Sequence, residues 1–529
     1  MLARSGRALP LEIYSLIFSY LDCRNLVQLS QVCRILFDAT IRHIWQEVEL
    51  RQLLALLPGA YHRTDVDEPE APAPGISSED YCARFALYAP HVKVLNMQSS
   101  FGSCTPSRDF MAHRAGNTIG WFKLPNLEGV NIRYSYYATS HSSALYRQSS
   151  TMWAICMIPP TLKNLSFTAG TRRDLPLLGI LFSMCPQLAQ FKFGPDQILD
   201  WNTWNCISAL PMAHELTSLE VRCARISDAG YLWLSKLPKL QDIKLYFGEH
   251  HYQLPEPDIT SNYCSVTHPH AFSALRKLHI SVNDKEGLQY IMRIWRTIAT
   301  HVTHVTIETW DRICTLDMFS QLFSGLIANC PKTTFFHLHE YVPTSIEDDA
   351  PRLPVSHLSA LQQLPLRVLR IDRALALDDD CGAIRSVGIL FPELEELWLE
   401  NTPIKIDDLL QATRCFPRIR RLRLCLHVVK PTLEPLSTIL GDTRQFFDGG
   451  YRPHSNLALE LYNRMGVNEG HAAYNATDWD FVVSLLVAHW STVSIIESYD
   501  GIVFRHFFKI DEKIAFHLAQ RAKNKCQEQ

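Results

Sequence analysis

Three apolar positions, in the order L-x-x-L-x-L, recur along most of the chain. Twelve clear copies start 24 to 35 residues apart, and eight of them have a proline two residues ahead. Because alternate side chains of a strand point to opposite faces, each copy predicts a short strand with its apolar positions facing a core. The copies begin at Val92, Leu127, Leu162, Leu188, Leu216, Leu240, Leu275, Val302, Thr333, Leu366, Leu394 and Ile419. A degenerate thirteenth copy is placed near Val493/Ile496.

Amphipathic segments such as 231–237 and 318–330 precede the prolines, and proline ends a helix. One helix–strand unit cannot bury its apolar face alone, so the units must stack into a common core. Parallel strands stack about 4.8 Å apart whereas helices need about 8–10 Å, so the strands should form the inside of a curve. The predicted fold class is therefore α/β over residues 81–510, with about 12–13 irregular units, a parallel inner sheet and outer helices.

Residues 9–51 carry a different, helical spacing. Pro10 suits the first turn of a helix, and Asp22 and Asn25 can cap a second one. The sequence therefore predicts a compact module of three helices. Their apolar positions are Ile13, Leu16, Ile17, Tyr20 and Leu21 in the first, Leu26, Leu29, Val32, Cys33 and Leu36/Phe37 in the second, and Ile41, Ile44, Trp45 and Val48 in the third.

This N-terminal module resembles the F-box, and the repeats resemble leucine-rich repeats. The matching positions run in order from Leu9-Pro10 through Leu29-Ser30 and Val32-Cys33-Arg34 to Trp45, while Cys23-Arg24 departs from the common pattern. The chain as a whole resembles fungal F-box proteins with a C-terminal leucine-rich-repeat solenoid. The resemblance assigns the F-box to 5–52 and implies binding of a Skp1-like adaptor. The residues it implies for that contact are Leu9, Pro10, Ile13, Ile17, Leu21, Leu26, Leu29 and Val32.

The resemblance further implies a function. Such a protein is the non-catalytic substrate-recognition subunit of an SCF-type ubiquitin ligase, joined to a cullin through the adaptor, with a protein substrate on the concave face of the solenoid. Two alternatives stay open: a non-ligase F-box scaffold or interaction module, and an enzyme with an unrecognised site. None of the common catalytic sequence motifs occurs in the chain.

Candidate substrate-binding residues lie between the apolar positions of the strands, where alternation turns them to the inner face. Arg, Tyr and Trp are the residue types that most often dominate binding energy at interfaces. Tyr246 and Trp398 are expected to be exposed anchors. The predicted residues are Lys244, Tyr246, His279, Glu308, His337, His339, Arg370, Asp372, Trp398, Glu400 and Arg423.

No metal or cofactor is predicted. His337 and His339 share a strand face between Glu308 and the Arg370/Asp372 pair, and imidazole with carboxylate is a possible ligand set. A chain with 22 histidines forms such pairs by chance, so this spacing alone does not indicate a metal site.

The composition of the chain argues against two classes of partner and indicates the cellular compartment. There are 51 Lys+Arg and 54 Asp+Glu, giving a net charge of −3, which argues against a nucleic-acid partner held by bulk electrostatics. No 18-residue apolar run occurs, so no membrane partner is expected. The 15 cysteines include no C-x-x-C pair and are odd in number, which favours reduced thiols and a cytoplasmic or nuclear location.

Two segments are expected to lie outside the repeats. Residues 58–80 are acidic and rich in proline, and the sequence predicts a mobile or disordered loop there. Residues 511–529 are expected to form a C-terminal capping helix and tail.

Overall fold

The computed structural model divides the chain into two compact units, Met1–Leu275 and Arg276–Gln529. The structure describes residues 11–57, 61–63, 78–98, 104–106, 123–133, 153–169, 175–195, 213–223, 228–247, 272–282, 301–310, 315–341, 353–372, 375–376, 383–404, 415–426 and 458–462. The predicted tail at 511–529 and the thirteenth copy near Val493 lie outside these residues.

Three short helices open the described part of the chain, as the sequence predicts. They are α1 (Leu11–Phe18), α2 (Cys23–Ser30) and α3 (Arg34–Ile44). Asp22 caps α2, because its carboxylate accepts a hydrogen bond of 2.7 Å from the backbone N–H of Asn25. The helices share a small core of buried Phe18, Leu26 and Ala39.

The third helix lies earlier in the chain than predicted. It begins at Arg34, so that Leu36 and Phe37 belong to it and not to the second helix. It ends at Ile44, and Val48 lies in the strand β1 (Glu47–Glu49) rather than in a helix. Val48 is buried between two exposed glutamates, a period of two that suits a strand and not a helix. Strand β1 pairs in parallel with β3 (Val94–Gln98), so the chain leaves the helices directly into a sheet. The helix α4 (Leu50–Leu54) follows β1.

The predicted loop at 58–80 is partly ordered. Strand β2 (Tyr61–Arg63) lies inside it and pairs antiparallel with β4 (Cys104–Pro106), and helix α5 (Ser78–Tyr88) begins before its predicted end. The short ladder between β2 and β4 gives these residues partners that an acidic, proline-rich composition does not reveal.

Parallel strands form the sheet of the first unit. Among the described residues the order is β1, β3, β5, β6, β7, β8 and β9, so that the strands of this sheet lie side by side in the order in which they occur along the chain. The further strands are β5 (Gly129–Arg133), β6 (Asn164–Ala169), β7 (Gln190–Pro195), β8 (Ser218–Cys223) and β9 (Asp242–Phe247).

The second unit repeats this arrangement. Its described strands pair in the order β10, β11, β12, β14, β16, β17 and β18, all parallel. A separate two-stranded parallel pair joins β13 (Leu353–Pro354) to β15 (Leu375–Ala376). The strands of the main sheet are β10 (Lys277–Val282), β11 (His304–Trp310), β12 (Phe335–Tyr341), β14 (Val368–Ile371), β16 (Glu396–Ile404), β17 (Arg421–Leu426) and β18 (Ala458–Tyr462).

The predicted core positions are confirmed. In each of the twelve copies all three positions are at most 3% exposed, including Thr333 in the one copy that begins with a polar residue. The hydroxyl of Thr333 donates to the carbonyl of Cys330 at 2.8 Å, which satisfies it inside the core. The L-x-x-L-x-L pattern therefore marks one buried strand per repeat.

Helices cover the core side of these strands. They include α6 (Leu175–Met184) and α7 (Asp228–Ser235) in the first unit, and α8 (Leu316–Asn329) and α9 (Ala383–Leu390) in the second. The ring of Phe323 on α8 packs edge to face against that of Phe336 on β12, with the ring centroids 6.0 Å apart. Between β12 and β14 the connection is a 3₁₀ helix, Val355–Gln363. Because the helices occupy the core side, polar residues are left on the opposite face of each strand.

A close helix–repeat contact in the second unit gives a test of this packing. A Cβ built on Gly388 of α9 would clash with the Cβ of Cys415 and lie 3.2 Å from its carbonyl oxygen. We expect Gly388→Ala to lower the free energy of unfolding by about 1–2 kcal/mol, because overpacking costs about 1–3 kcal/mol. The gain in helix propensity, about 1 kcal/mol, offsets only part of this cost. Urea denaturation measures the change.

The matched control is Gly194→Ala in β7. There a Cβ would make only an ordinary contact, 3.5 Å from Cδ of Arg222. We expect its urea midpoint to stay at the wild-type value or to rise. Equal losses of unfolding free energy in the two variants would contradict the packing described for α9.

Candidate protein-interaction surfaces

The apolar side chains of α1 divide between an inward and an outward face. Tyr14, Phe18 and Leu21 recur at three- to four-residue spacing, and the first and last pack against the buried Phe18. Ile13, Leu16 and Ile17 of α1 lie on the surface instead. Further exposed apolar side chains lie on α2 and α3 and in the turns after α1 and α2. The seven exposed residues of this module are Ile13, Leu16, Ile17, Tyr20, Val27, Val32 and Ile35, and we call them the F-box apolar face.

The residues implied for the adaptor contact separate accordingly. Ile13, Ile17 and Val32 are exposed, the last at 68%. Leu26 is buried at 5% exposure and holds the three helices together, with Leu21 and Leu29 packed against the same core. Leu9 and Pro10 lie outside the described residues. Which of these side chains touch an adaptor stays a prediction.

Four exposed positions were not among the predicted contact residues. They are Leu16, Tyr20, Val27 and Ile35, with Tyr20 at 83% exposure. The spacing of residues 13, 16, 17 and 20 places them on one face of a helix, so the signal for Leu16 and Tyr20 was present in the sequence. What was missing was knowledge of which face the other two helices cover.

The inner face of the second unit carries its polar residues in two rows. Register pairs His279 with Thr306, Thr306 with His337, His337 with Arg370, Arg370 with Trp398, and Trp398 with Arg423. A second row pairs Ser281 with Glu308 and Glu308 with His339. The alternation predicted from the sequence is confirmed at these positions, whereas their role in substrate binding stays a prediction.

Histidines and carboxylates meet within these rows. Nε2 of His279 lies 3.2 Å from Oε1 of Glu308. Oδ2 of Asp372 lies 2.9 Å from Nε2 of His337, and the same oxygen is in close contact with Nδ1 of His339. Asp372 is nearly buried, with 8% of its side chain exposed, so its charge depends on these partners rather than on water.

The two carboxylates titrate below their ordinary range. Burial raises the pKa of Asp372, but hydrogen bonds from His337 and His339, with their charges, outweigh it and hold that pKa at about 2. Burial also raises the pKa of Glu308. The hydrogen bond and charge of His279, together with the charges of His339 and His337, outweigh this and lower the pKa overall. Both side chains are therefore anionic at neutral pH.

Arginine side chains cover Trp398. The guanidinium carbon of Arg370 lies 3.4 Å from the ring centroid of Trp398, and that of Arg423 lies 4.5 Å from it. Nη2 of Arg370 also donates to Glu396 at 3.2 Å. Trp398 was expected to be an exposed anchor; it is half-buried instead, because the two arginines from neighbouring strands stack on it.

The remaining predicted residues lie elsewhere. In the first unit, Lys244 and Tyr246 are half-buried on β9, with the guanidinium carbon of Arg222 5.5 Å from the ring centroid of Tyr246. Lys244 pairs in register with Glu220, which forms an ion pair of 2.5 Å with Lys192. Glu400 lies in β16, and its side chain is outside what the structure describes.

Burial suppresses the ionisation of two described thiols. Burial raises the pKa of Cys185 to about 11 and that of Cys330 to about 12, so both stay protonated at neutral pH. Among the described helices, none is both long enough and apolar enough to cross a bilayer.

Comparison with known proteins identifies the N-terminal module. A family model described as F-box-like matches residues 7–51. The chain therefore contains an F-box-like domain, followed by parallel strand–helix units of the leucine-rich-repeat type. No curated protein matches the chain significantly.

Two solved structures show distant likeness. A protein from Bacteroides fragilis is 14% identical, with 54% of this chain and 66% of that one covered and a TM-score of 0.27. The match thus spans just under two thirds of that protein. An internalin from Listeria monocytogenes is 12% identical, with 59% and 79% covered and a TM-score of 0.26. Scores this low add no weight to the fold, which rests on the strands and helices themselves.

Acid titration tests the environment of Asp372. Its folded pKa of about 2 lies below the ordinary 3.8, so its contribution to stability is present above pH 3.8 and is lost as the pH falls toward 2. The shift corresponds to about 2 kcal/mol. We expect the urea midpoint of the wild type to fall more steeply below about pH 4 than that of Asp372→Asn, which cannot titrate there. Parallel pH profiles for the two proteins would contradict this assignment.

Proposed function

We propose that this protein is the substrate-recognition subunit of an SCF-type ubiquitin ligase. In this proposal the F-box-like domain binds a Skp1-like adaptor and, through it, a cullin, while the inner face of the repeats holds a protein substrate. The observation that carries the proposal is the F-box apolar face, which leaves seven large apolar side chains exposed on a domain matched by the F-box-like family model.

The energetics favour a partner on these helices. Exposed apolar side chains gain about 1.5–3 kcal/mol each when they are fully buried. The module is also small: its described core is centred on Phe18, Leu26 and Ala39. A module of this size gains stability from burying its outer face, which fits a domain that functions bound to another protein.

The inner face supports the substrate half of the proposal. It presents acidic, basic and imidazole groups in fixed rows, together with the stacked Arg370, Trp398 and Arg423. Such a mixed surface suits a polypeptide with several charged side chains better than a small apolar ligand. The residues that contribute to binding are a minority of any interface, so the rows define a surface and not a set of contacts.

The proposed mechanism is proximity. A protein that holds a substrate beside a ubiquitin-loaded enzyme raises the effective concentration of the substrate lysine, and the covalent chemistry takes place on its partners. The subunit itself is then non-catalytic and uses no cofactor. In this proposal it works in the cytoplasm or nucleus, without nucleic-acid or membrane partners.

Adaptor binding is expected to fail when charge is placed on the F-box apolar face. We expect Ile17→Glu and Val32→Glu each to weaken affinity for a Skp1-like adaptor by about 10- to 100-fold, because each loses about 1.5–3 kcal/mol of apolar burial. The measurement is titration calorimetry with the purified adaptor. The matched control is Ile389→Glu on α9, which is 69% exposed in the second unit. Unchanged affinity in both F-box variants would contradict the proposed docking face.

Ligase assembly is a separate expectation. Full-length protein should recover both adaptor and cullin on co-purification, and the recovered complex should transfer ubiquitin to a bound substrate. Adaptor without cullin would point to a non-ligase F-box scaffold. Recovery of neither would leave the repeats as an interaction module or an enzyme of another kind, and the proposal would fall.

A further inference from the structure

Two neighbouring strands bring three side chains with metal-binding atoms together on the inner face of the second unit. His337 and His339 are two residues apart on β12 and so point to the same side. The backbone N–H of Asp372, directly after β14, donates to the carbonyl of Leu338 at 2.9 Å. This hydrogen bond extends the ladder by one residue and holds Asp372 beside the two histidines.

The ligand atoms converge on a small volume. One ring nitrogen of His337, one ring nitrogen of His339 and a carboxylate oxygen of Asp372 all lie within 4.8 Å of one another. In a tetrahedral zinc site with bonds of about 2.0–2.1 Å, ligand atoms stand about 3.3 Å apart. The separation of 2.9 Å between Nε2 of His337 and Oδ2 of Asp372 is close to this value.

We propose that His337, His339 and Asp372 bind one divalent transition-metal ion of the zinc class, with a coordination position open toward the inner face. Two imidazoles and one carboxylate are a donor set for zinc and its first-row neighbours, whereas calcium and magnesium prefer oxygen alone. Three protein ligands leave the fourth tetrahedral position to water or to a group from a bound protein. This site goes beyond the proposed function and does not depend on adaptor binding.

The surroundings fit a dication. The side chains of His337 and His339 are 19% and 25% exposed, so an ion can reach the cluster from solvent. Asp372 supplies one negative charge, and Glu308, paired in register with His339, supplies a second nearby. Arg370, paired in register with His337, is offset by its hydrogen bond to Glu396. The carboxylate of Asp372 within the cluster and that of Glu308 beside it carry two negative charges, which equal the charge of the ion in magnitude.

The sequence did not predict this site, because 22 histidines make close pairs frequent. Two histidines often come near each other by chance. The convergence of two imidazole nitrogens and a carboxylate oxygen from different strands is a rarer arrangement, and only the folded structure brings it together. A hydrogen-bonded network of the same three residues without an ion is the alternative explanation, and it makes a different prediction about zinc.

Zinc binding by the full chain tests the proposal. Protein stripped with a chelator is titrated with Zn²⁺ alone, in competition with a chromophoric chelator. We expect Asp372→Asn, which keeps the side-chain volume, and His337→Ala each to remove one bound equivalent. The loss of affinity should exceed the roughly 10- to 100-fold that follows when only a group hydrogen-bonded to a metal ligand is removed. The control is His279→Gln, which alters another histidine of the same face. Equal zinc stoichiometry and affinity in all four proteins would overturn the proposal.

A spectroscopic measurement keeps the test independent of variant folding. Co²⁺ bound to the wild type should give visible ligand-field bands of nitrogen and oxygen ligation, without thiolate charge-transfer absorption, in spite of the 15 cysteines of the chain. A thiolate signature at the first equivalent, or no ligand-field band at all, would contradict the assignment. Adaptor binding by Asp372→Asn should equal that of the wild type, so failure here and failure of the proposed function are distinguishable.

Discussion

Hydrogen bonds between successive parallel strands determine where the core and the polar surface of each unit lie. Each repeat contributes one strand, and the ladder fixes its register against the strand of the next repeat. Side chains that occupy the same position in successive repeats therefore line up in rows. Apolar rows form the core beneath the helices, and polar rows form the inner face. The arrangement of His337, Arg370, Trp398 and Arg423 follows from this register alone.

Much of this order could be predicted from the sequence, because the buried positions repeat with a local period. The repeat spacing marks Leu369 and Leu397 as core positions. Because side chains alternate along a strand, the neighbouring Arg370 and Trp398 are then predicted to lie on the inner face. Local spacing failed where a tertiary partner decided the outcome. Val48 lies in a strand because β1 pairs with β3. Residues Tyr61–Arg63 form a strand because they pair with β4.

For the interaction surfaces, too, the sequence predicts which residues are apolar or polar, but not which of them the tertiary structure buries or brings together. The sequence identified the apolar positions of the F-box helices but could not separate Ile17, which is exposed, from Leu26, which is buried, because both are apolar at helical spacing. It also placed His337 and His339 on one face. The contact of both with Asp372 depends on how side chains from two strands turn toward each other, which spacing does not encode.

We propose the exposed apolar side chains of the N-terminal helices as the docking face for an adaptor. Hydrogen–deuterium exchange of the full chain, with and without a Skp1-like adaptor, measures whether these helices are covered on binding. We expect slower exchange in α1, α2 and α3 on adding the adaptor, and unchanged exchange in strands β10 to β17. No protection in the three helices, or protection confined to the strands of the repeats, would contradict it.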